Sequence, residues 1–424
     1  MAPPIDAPRA IFSRSLRGSC YTARMALTVP EVTQMPLADL DLISAALPGR
    51  ALHEALRVAR ASGRAASVRL HGMPALLLTR FVDVKEFLAD HASAPGGLTY
   101  ARQVEPVVGR TFISMDGDDH RFHRQLATPA FRSSAVERFV DQCLAPLAHE
   151  IVDRFVLRGE GDLVAEFTDV LPFVAISRKL GLPVASEARQ RIWARSLLSF
   201  PGNPEGARAA SAELTAVIAP EIAARRRAPR DDVLSRLIET EIEGRRFDDE
   251  DILAHARLLY AVGATTTADA MSNLFWALLT VPGLAERARH EPSLRPGVVQ
   301  ELLRWEPPVA VLPRMVTAPR RVGGADAPAG SLVMLALAGA NRDPDHFEDP
   351  DAFRPEREER EILTFGFGDK YCPGVHLARR QLRAALDVVL DRLPELRLAA
   401  GVRVAPTGAT LRSVKALPVV WGGG

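Results

Sequence analysis

The sequence predicts a mainly α-helical fold with a smaller β-rich region. Between residues 136 and 228, apolar side chains recur at helical spacings, and Gly- or Pro-containing turns interrupt them at 159–161, 181–183 and 201–204. A longer helical pattern begins after Phe247 and continues to Leu279. Short apolar runs bounded by turn residues predict strands at 67–70, 74–79 and 331–338. Most of the chain is therefore expected to be helical, with a small sheet at one side.

Near the N-terminus the patterns alternate between helix and strand. A stripe of alanine and leucine predicts a helix over residues 49–62, and His71-Gly72 predicts the turn between the first two strands. A short helix is expected at 82–90. Residues 93–112 hold several prolines and glycines, so a long loop is predicted there, and loops of this length are usually functional or mobile.

The composition excludes several classes of protein. Lys and Arg total 53 against 52 Asp and Glu, so the net charge is +1 and no nucleic-acid partner is expected. Cys20, Cys143 and Cys372 are too scattered for a disulfide framework or a zinc ligand set, and they fit a reducing compartment. No run of about 18 apolar residues occurs, so no membrane anchor is predicted. We expect a soluble, cytoplasmic protein.

The first 24 residues are rich in arginine and serine and contain one acid, Asp6. That composition is typical of a transit peptide, whereas the apolar stretch of a secretory signal is missing. The same residues also fit a natural start at Met25 or a disordered arm, and we favour these two interpretations. We therefore expect a disordered arm over residues 1–35, followed by a single domain over 36–424.

The most informative stretch is the loop of residues 365–374, Phe-Gly-Phe-Gly-Asp-Lys-Tyr-Cys-Pro-Gly. Its glycines permit tight turns, Pro373 suits a first helical position, and a helix is predicted from Val375. Cys372 therefore precedes a helix N-terminus, where backbone N–H groups and the helix dipole favour the thiolate. A lone cysteine can be an inert buried residue, a nucleophile that needs a positioned His, or a soft metal ligand.

This loop resembles the haem-binding loop of the cytochrome P-450 family, Phe-Gly-x-Gly-x-[His/Arg]-x-Cys-x-Gly. Lys370 replaces the usual His or Arg, and the other positions match at Phe365, Gly366, Gly368, Cys372 and Gly374. The resemblance covers the chain from about residue 35 to its end. It implies one haem-thiolate monooxygenase domain, with haem b held between a long central helix and the Cys loop and with Cys372 as the iron ligand.

The centre of the long helix carries Ala261-Val262-Gly263-Ala264-Thr265-Thr266-Thr267. Three consecutive threonines can bond back to carbonyls one turn earlier, so we expect a loosened helix and a local groove. The family pattern here is Ala-Gly-x-[Asp/Glu]-Thr, and Thr265 stands where the acid is expected. The resemblance implies that Thr266 hydrogen-bonds bound dioxygen and that Thr265 relays protons. Ordered water or a substrate group would replace the acid, or the reaction does not need ordinary O–O cleavage.

Four basic residues are candidates for holding the haem carboxylates. His120 and Arg124 lie four apart in a helix predicted from Asp116-Gly117, so they share one face, which is either solvated or turned to a ligand. The resemblance implies that both residues hold a haem propionate, together with Arg314 and Lys370. Arg314 follows a Pro-rich segment, residues 306–313, that must be extended.

Glu301 and Arg304 lie three apart on a helix predicted over residues 297–305. A surface pair of this kind contributes only about 0–1 kcal/mol. The resemblance instead implies a buried structural triad with Arg357, which supports the loop behind the haem and is not catalytic.

The resemblance also implies a substrate and redox partners. An apolar small molecule would lie against the 95–112 loop and five residues: Ala261, Ala264, Val309, Val311 and Leu312. Electrons would come from NAD(P)H through a ferredoxin reductase and a ferredoxin. The ferredoxin would dock near Cys372, helped by Arg379, Arg380 and Arg383, unless these arginines only form a solvated helix face. A peroxide-dependent enzyme, a non-oxygenating haem protein and a cysteine hydrolase remain alternatives.

Overall fold

The computed structural model describes residues 26–184, 186–358 and 360–422. Within these residues the helices are α1 Val29–Gln34, α2 Arg50–Ser62, α3 Phe81–Ala89, α4 Gly96–Gln103, α5 Glu105–Val108, α6 Gly117–Ala127, α7 Ser133–Phe139, α8 Ala145–Asp153, α9 Leu171–Leu180, α10 Glu187–Leu198, α11 Pro204–Arg227, α12 Val233–Glu239, α13 Asp249–Thr280, α14 Leu284–His290, α15 Arg295–Trp305, α16 Leu337–Ala340 and α17 Val375–Arg392. The strands are β1 Ala66–Leu70, β2 Met73–Leu78, β3 Glu160–Asp162, β4 Leu312–Met315, β5 Arg320–Val322, β6 Ala325–Ala327, β7 Leu332–Leu335, β8 Arg397–Leu398 and β9 Pro418–Val420.

The largest sheet has four strands in the order β1-β2-β7-β4. β2 pairs in parallel with β7, while the β1–β2 and β7–β4 pairs are antiparallel. The predicted strand over 331–338 is too long, because β7 ends at Leu335 and α16 follows at once. The amide of Ala336 still bonds to the Leu78 carbonyl, the last residue of β2, at 2.9 Å. Beyond β2 no partner strand continues, so the backbone closes helical bonds instead.

The predicted loop over residues 93–112 is wrong, since it contains α4 and α5. Gly97 lies in the first turn of α4, and its amide donates to both carboxylate oxygens of Asp116 at 3.1 and 3.0 Å. A Cβ at Gly97 would lie 2.5 Å from one of those oxygens, so the glycine provides space for the contact. Pro106 occupies the first turn of α5, where its missing N–H costs nothing.

The predicted boundary between an arm and a domain at residue 36 is too late. Residues 29–34 form α1, and Val32 is fully buried in the apolar cluster that also contains Leu27, Leu52 and Leu56. Burying such a side chain contributes about 1.5–3 kcal/mol toward ordering this segment. Residues 1–25 of the predicted arm lie outside the described residues.

Helix α13 is the central element, and its 32 residues make it about 48 Å long. It begins as predicted, with the Asp248 side chain accepting a bond from the Asp251 amide at 2.8 Å. Its first half packs with α10 and α11, and its second half packs with α15 and α17. Helix α13 therefore joins the two largest apolar clusters, which explains why it is apolar on nearly every side.

Helix α17 begins at Val375, as predicted, directly after the Cys loop, and packs against α8, α13 and α15. This packing places Cys372 at the end of a helix that is fixed to the centre of the molecule. Among the described residues, no helix is both long and apolar enough to cross a membrane.

Candidate functional site

The Cys loop folds through two glycine turns. Gly366 and Gly368 have φ values of 73° and 69°, a region that other residues rarely adopt. The Cys372 amide then donates to the Phe365 carbonyl at 2.9 Å, and the Tyr371 amide donates to the Gly368 carbonyl at 3.0 Å. These bonds hold Cys372 next to Gly374, the N-cap of α17.

The surroundings of Cys372 favour the protonated thiol, whereas the sequence predicted that they would favour the thiolate. Burial raises the pKa of the Cys372 thiol, although the Gly374 amide and the Arg124 guanidinium act in the opposite direction. The helix N-terminus alone therefore does not ionise this cysteine. A bound metal cation would supply the missing positive charge, because a coordinating thiol loses its proton.

His120 and Arg124 lie on α6 beside this loop. His120 is buried, and its Nε2 atom has no hydrogen-bond partner among the described residues. Burial, followed by repulsion from Lys370 and Arg124, lowers the pKa of His120 to about 4. Arg124 donates to the Tyr371 carbonyl of the Cys loop. The two residues thus share an inward face, and the solvated-face interpretation is wrong for His120.

Lys370 extends from the Cys loop to the segment before α6. Its Nζ donates to the carbonyls of Phe112, Ile113 and Met115, and it lies 3.5 Å from Asp116 Oδ1. Burial lowers the pKa of Lys370 to about 8; Asp116 opposes this shift, and Arg314 and Arg124 add to it. Lys370 is therefore held among other cations with one nearby carboxylate.

Arg314 on β4 completes the group, which we call the basic cluster: His120, Arg124, Arg314 and Lys370. Arg314 is almost fully buried, donates to the Pro313 carbonyl at 3.0 Å and lies 5.9 Å from the Tyr100 ring centre. Within the described residues, neither Arg314 nor Arg124 has a carboxylate within 4 Å. Buried charges need partners. The basic cluster beside Cys372 therefore fits an anionic ligand with two carboxylates, as haem has.

The three threonines of α13 differ in their hydrogen bonds. Thr266 Oγ1 donates to the Val262 carbonyl at 3.0 Å, and Thr267 Oγ1 donates to the Gly263 carbonyl at 3.1 Å. Both bonds run one turn back, as predicted, and α13 continues through this stretch as one helix, so the loosening stays a prediction. Thr265 is buried, and its Oγ1 has no partner among the described residues. The free hydroxyl in this stretch is that of Thr265.

The five predicted pocket residues lie in or against three apolar clusters. Ala261 and Ala264 are buried in the cluster around the first half of α13. Val311 packs in the N-terminal cluster, while Val309 and Leu312 contact a third cluster beside β4. That these residues border an apolar substrate pocket stays a prediction.

The structure brings the predicted triad together. Arg304 donates to both oxygens of Glu301 at 2.8 and 2.7 Å, and Arg357 Nε lies 3.2 and 3.3 Å from the same oxygens. Glu301 and Arg304 are almost completely buried. The surface-pair alternative is therefore wrong here.

Two of the three arginines that were predicted to bind a ferredoxin form ion pairs within the chain. Arg380 pairs with Glu137 at 2.9 Å, and Arg383 pairs with Asp387 at 2.7 Å. The Arg379 guanidinium lies 5.4 Å from the ring centre of Phe365. An open groove of about 700 Å³ runs beside them, and its lining includes Phe365, Tyr371 and Arg379.

Two acids near the site were missed from the sequence. Asp116 links α4, α6 and Lys370, a contact that no local pattern indicates. Asp269 is buried in α13 and pairs with Arg195 at 3.2 Å. Asp269 could have been found, because it is the one carboxylate of α13 after its first turn.

Comparisons with known proteins agree with this geometry. A sequence model of the family described as Cytochrome P450 matches residues 196–394. Cyclomarin C epoxidase CymV from Salinispora arenicola is 34% identical over 367 residues, 82% of this chain and 91% of that protein. Cytochrome P450 monooxygenase PikC from Streptomyces venezuelae is 32% identical over 85% of this chain and 89% of its own length.

Solved structures give the same result. Cytochrome P450 CYP109Q5 from Chondromyces apiculatus superposes with a TM-score of 0.81 at 26% identity, covering 92% of this chain and 99% of that one. Cytochrome P450 PksS from Bacillus subtilis has a TM-score of 0.80 at 27% identity, covering 87% and 96%. The similarity therefore extends over nearly the whole length of these proteins.

Proposed function

The chain belongs to the cytochrome P450 family, and on that premise we propose that it hydroxylates or epoxidises an apolar small molecule between α13 and the Cys372 loop. As a member of this family it is a haem-thiolate monooxygenase and carries haem b. We also propose that the folded chain acts as one domain around one haem. The observation that carries the proposal is the basic cluster, in which the positively charged side chains beside the Cys loop outnumber the nearby carboxylates.

The residues present fit the cofactor, and each has a definite task. When bound, haem b supplies dioxygen activation, which a thiolate ligand promotes by donating electron density. Cys372 would ligate the iron through Sγ. His120, Arg124, Arg314 and Lys370 would bind the two carboxylates, and Lys370 would act as a point charge where the family has His or Arg.

Two further residue groups complete the site. Phe365, Gly366 and Gly374 shape the loop that presents Cys372. Thr266 donates to the helix backbone and keeps its oxygen free to accept a bond from a bound species. Thr265, with its unpartnered hydroxyl, is the residue that passes protons along the helix.

The proposed substrate is an apolar product of secondary metabolism. Three relatives at 28–34% identity carry the names Cyclomarin C epoxidase, Mycinamicin IV hydroxylase/epoxidase and Polyketide biosynthesis cytochrome P450 PksS. A panel that contains cyclomarin C, mycinamicin IV and polyketides should include one compound that shifts the haem spin state on binding. If polar metabolites alone produce that shift, this substrate class is wrong.

We propose that a ferredoxin, reduced from NAD(P)H by its reductase, supplies the electrons. It would dock over the groove beside the Cys loop, near Arg379, Arg380 and Arg383. Charge reversal of these arginines should slow reduction of the haem while the haem content stays constant. Asp387 and Glu137 already neutralise two of them, so we expect the largest effect from Arg379→Glu. Unchanged reduction kinetics in all three variants would contradict this docking face.

The central experiment is the absorption spectrum of the reduced protein with carbon monoxide. The wild type should show the strongly red-shifted Soret band of a thiolate ligand, and Cys372→Ser should lose it. Cys143→Ser provides a matched control, because Cys143 is also a free, partly buried cysteine. A band typical of histidine-ligated haem, or a band that survives in Cys372→Ser, would overturn the assignment.

A peroxide-dependent enzyme is the second candidate. The observation that favours it is Thr265, since a threonine cannot supply the protons that dioxygen needs. Hydrogen peroxide carries its own protons, so such an enzyme would turn over with peroxide alone and would gain nothing from a ferredoxin. The comparison of the two oxidants decides between the candidates.

A further inference from the structure

This inference rests on the proposed function, whose reaction consumes protons, and the site residues described so far include no source for them. Inserting one oxygen atom of O₂ into a substrate consumes two electrons and two protons and releases one water molecule. The electrons come from the reductant, but the protons must cross a protein interior. Thr265 can pass a proton along, yet it cannot supply one, because its hydroxyl does not ionise near neutral pH.

Asp269 lies in a position to supply these protons. It follows Thr265 by four residues on α13, so the two side chains lie on the same face, about 5–6 Å apart between their Cβ atoms. It is 2% exposed and is the one carboxylate of this helix after its first turn. The acid is thus absent at 265 but present one turn later.

The surroundings of Asp269 connect the buried helix to the protein surface. Arg195 on α10 donates to Asp269 Oδ1 at 3.2 Å and to Asp169 Oδ1 at 2.7 Å. The side chains of Arg195 and Asp169 are 34% and 19% exposed, so this edge of the cluster reaches solvent. Ser413 and Lys415 from the C-terminal segment also face Asp269. The carboxyl group is therefore buried on the side of Thr265 and close to water on the side of Arg195.

Asp269 can hold a proton in this environment. Burial raises the pKa of the Asp269 carboxyl, and the positive charges of Arg195 and Lys415 and the Ser413 hydroxyl act in the opposite direction. The Oγ1 atom of Thr265 is buried and has no hydrogen-bond partner in the part of the chain that the structure describes, whereas the hydroxyl groups of Thr266 and Thr267 both donate to the helix backbone. Of the three hydroxyls, that of Thr265 alone is free to accept one proton and donate another.

We propose that Asp269 is the proton reservoir of this enzyme and delivers protons to the oxygen site through the hydroxyl of Thr265. The O–H bond of the Asp269 acid breaks, and its proton passes to Thr265 Oγ1 directly or across one water molecule. The original Thr265 proton moves on toward the haem pocket. The Asp269 carboxylate then takes a proton from solvent at the Arg195 edge. No electrons move in this step, and it occurs twice per turnover.

A purely structural role for Asp269 makes different predictions. As a buried partner of Arg195, it would support the contact between α10 and α13, and its loss would impair every form of activity to the same extent. As a reservoir that acts through Thr265, it affects only reactions whose oxidant arrives without protons. The two oxidants O₂ and H₂O₂ separate these roles, because H₂O₂ plus substrate gives product and water without added protons.

The experiment compares Asp269→Asn with the wild type in haem-loaded protein. We expect turnover with O₂ and a chemical or ferredoxin reductant to fall by about 100-fold, the scale of lost general acid catalysis. Turnover with H₂O₂ should stay within about twofold of the wild type. In this variant the amide oxygen can still accept the bond from Arg195 on α10, and Arg195 also keeps Asp169 as a partner. An equal loss with both oxidants, or no loss with O₂, would overturn the proposal.

Three further variants test the route and the fold separately. Thr265→Val should reproduce the selective loss, and it removes a hydroxyl that has no partner, so stability should not suffer. Thr267→Val is the matched control, because its neighbouring hydroxyl bonds only to the backbone and both activities should persist. Adding Thr265→Asp to Asp269→Asn should restore O₂-driven turnover at least tenfold. If Thr265→Val behaves like Thr267→Val, the proposed route is wrong.

A readout without turnover separates this inference from the proposed function. Infrared spectroscopy of the wild type should show a protonated carboxyl band at a pH where exposed acids are ionised, and Asp269→Asn should remove that band. If the protein shows no thiolate-type carbon monoxide spectrum, the proposed function fails, but the infrared result still stands. If the wild type lacks the band at pH 6 to 7, Asp269 holds no proton and the reservoir is refuted.

Discussion

Replacing Glu301 with Gln tests whether burial decides the energy of an ion pair in this fold. The carboxylate of Glu301 accepts two bonds from Arg304 and lies close to Arg357. It also accepts the Arg354 amide at 2.9 Å. Glutamine keeps the size of the side chain but removes its charge, so two guanidinium groups lose their counter-ion in the protein interior.

The expected magnitude follows from burial. Glu301 and Arg304 are 3% and 1% exposed, and removing one partner of a buried pair costs about 3–5 kcal/mol. Arg304 still donates to the carbonyls of Asn341, Pro350 and Ala352, which keeps it in place without compensating its charge. We therefore expect Glu301→Gln to lower the free energy of unfolding by about 3–5 kcal/mol.

The chain supplies a matched control in Glu54 and Arg57. This pair has the same spacing of three residues on a helix, and its contacts are 3.0 and 2.6 Å. Its arginine side chain is 62% exposed, so Glu54→Gln should cost about 0–1 kcal/mol.

Urea unfolding followed by far-ultraviolet circular dichroism measures both variants against the wild type at pH 7. Haem content is determined for each sample, because bound cofactor adds to apparent stability. A difference below about 1 kcal/mol between Glu301→Gln and Glu54→Gln would refute the reasoning, since the two pairs differ chiefly in burial.

Two further predictions concern pH and packing. Burial lowers the pKa of His53 to about 4; its unfolded value is about 6.5, so the unfolded chain binds a proton first as pH falls. Stability should therefore drop by about 3 kcal/mol between pH 6.5 and 4, and His53→Gln should remove that part of the slope in urea titrations while retaining a donor for Glu306. Gly297→Ala should destabilise the protein by about 1–3 kcal/mol, because the added Cβ would lie 2.1 Å from the backbone oxygen of Pro355. Gly263→Ala should cost less in the same assay, since its Cβ meets only the flexible end of Ile176, at 2.9 Å.

Local chemistry explains which parts of the site could be predicted. The turns at Gly366 and Gly368 and the start of α17 depend on residues within ten positions of Cys372, so the sequence contains all the information needed. Pro373, expected at a first helical position, instead lies just before the N-cap, Gly374. The same holds for Asp248 at the start of α13. His120 and Arg124 share a face because of helix geometry alone, although only the family resemblance indicated what that face binds.

Contacts between distant segments could not be predicted in this way. Asp116 accepts the Gly97 amide, so a glycine pair that suggested a loop begins a helix instead. Val311 and Leu312 are neighbours in an extended segment, so their side chains point to opposite sides and pack in different clusters, and the sequence does not indicate which cluster each one joins. Glu306 joins His53 and Arg412, which are more than 100 residues away on either side. No periodicity in the sequence links them.

If the basic cluster binds the haem carboxylates, as proposed, then haem binding and the stability of the folded chain are coupled. Lys370 is repelled by Arg124 and Arg314, and it is held by one carboxylate and the carbonyls of residues 112, 113 and 115. Two added carboxylates would make the net electrostatic energy of the cluster favourable, because each cation would gain a counter-ion within a medium that screens charge poorly. Under the proposed assignment, haem would stabilise the folded chain by more than its apolar contacts, and the gain would act on the segment before α6 as well as on the Cys loop. Removing the charge of Arg124 or Arg314 should therefore reduce the repulsion on Lys370 in the haem-free protein and weaken the proposed haem complex. The haem-free and haem-bound proteins should then change in stability in opposite directions, which a structural role for these side chains alone would not produce.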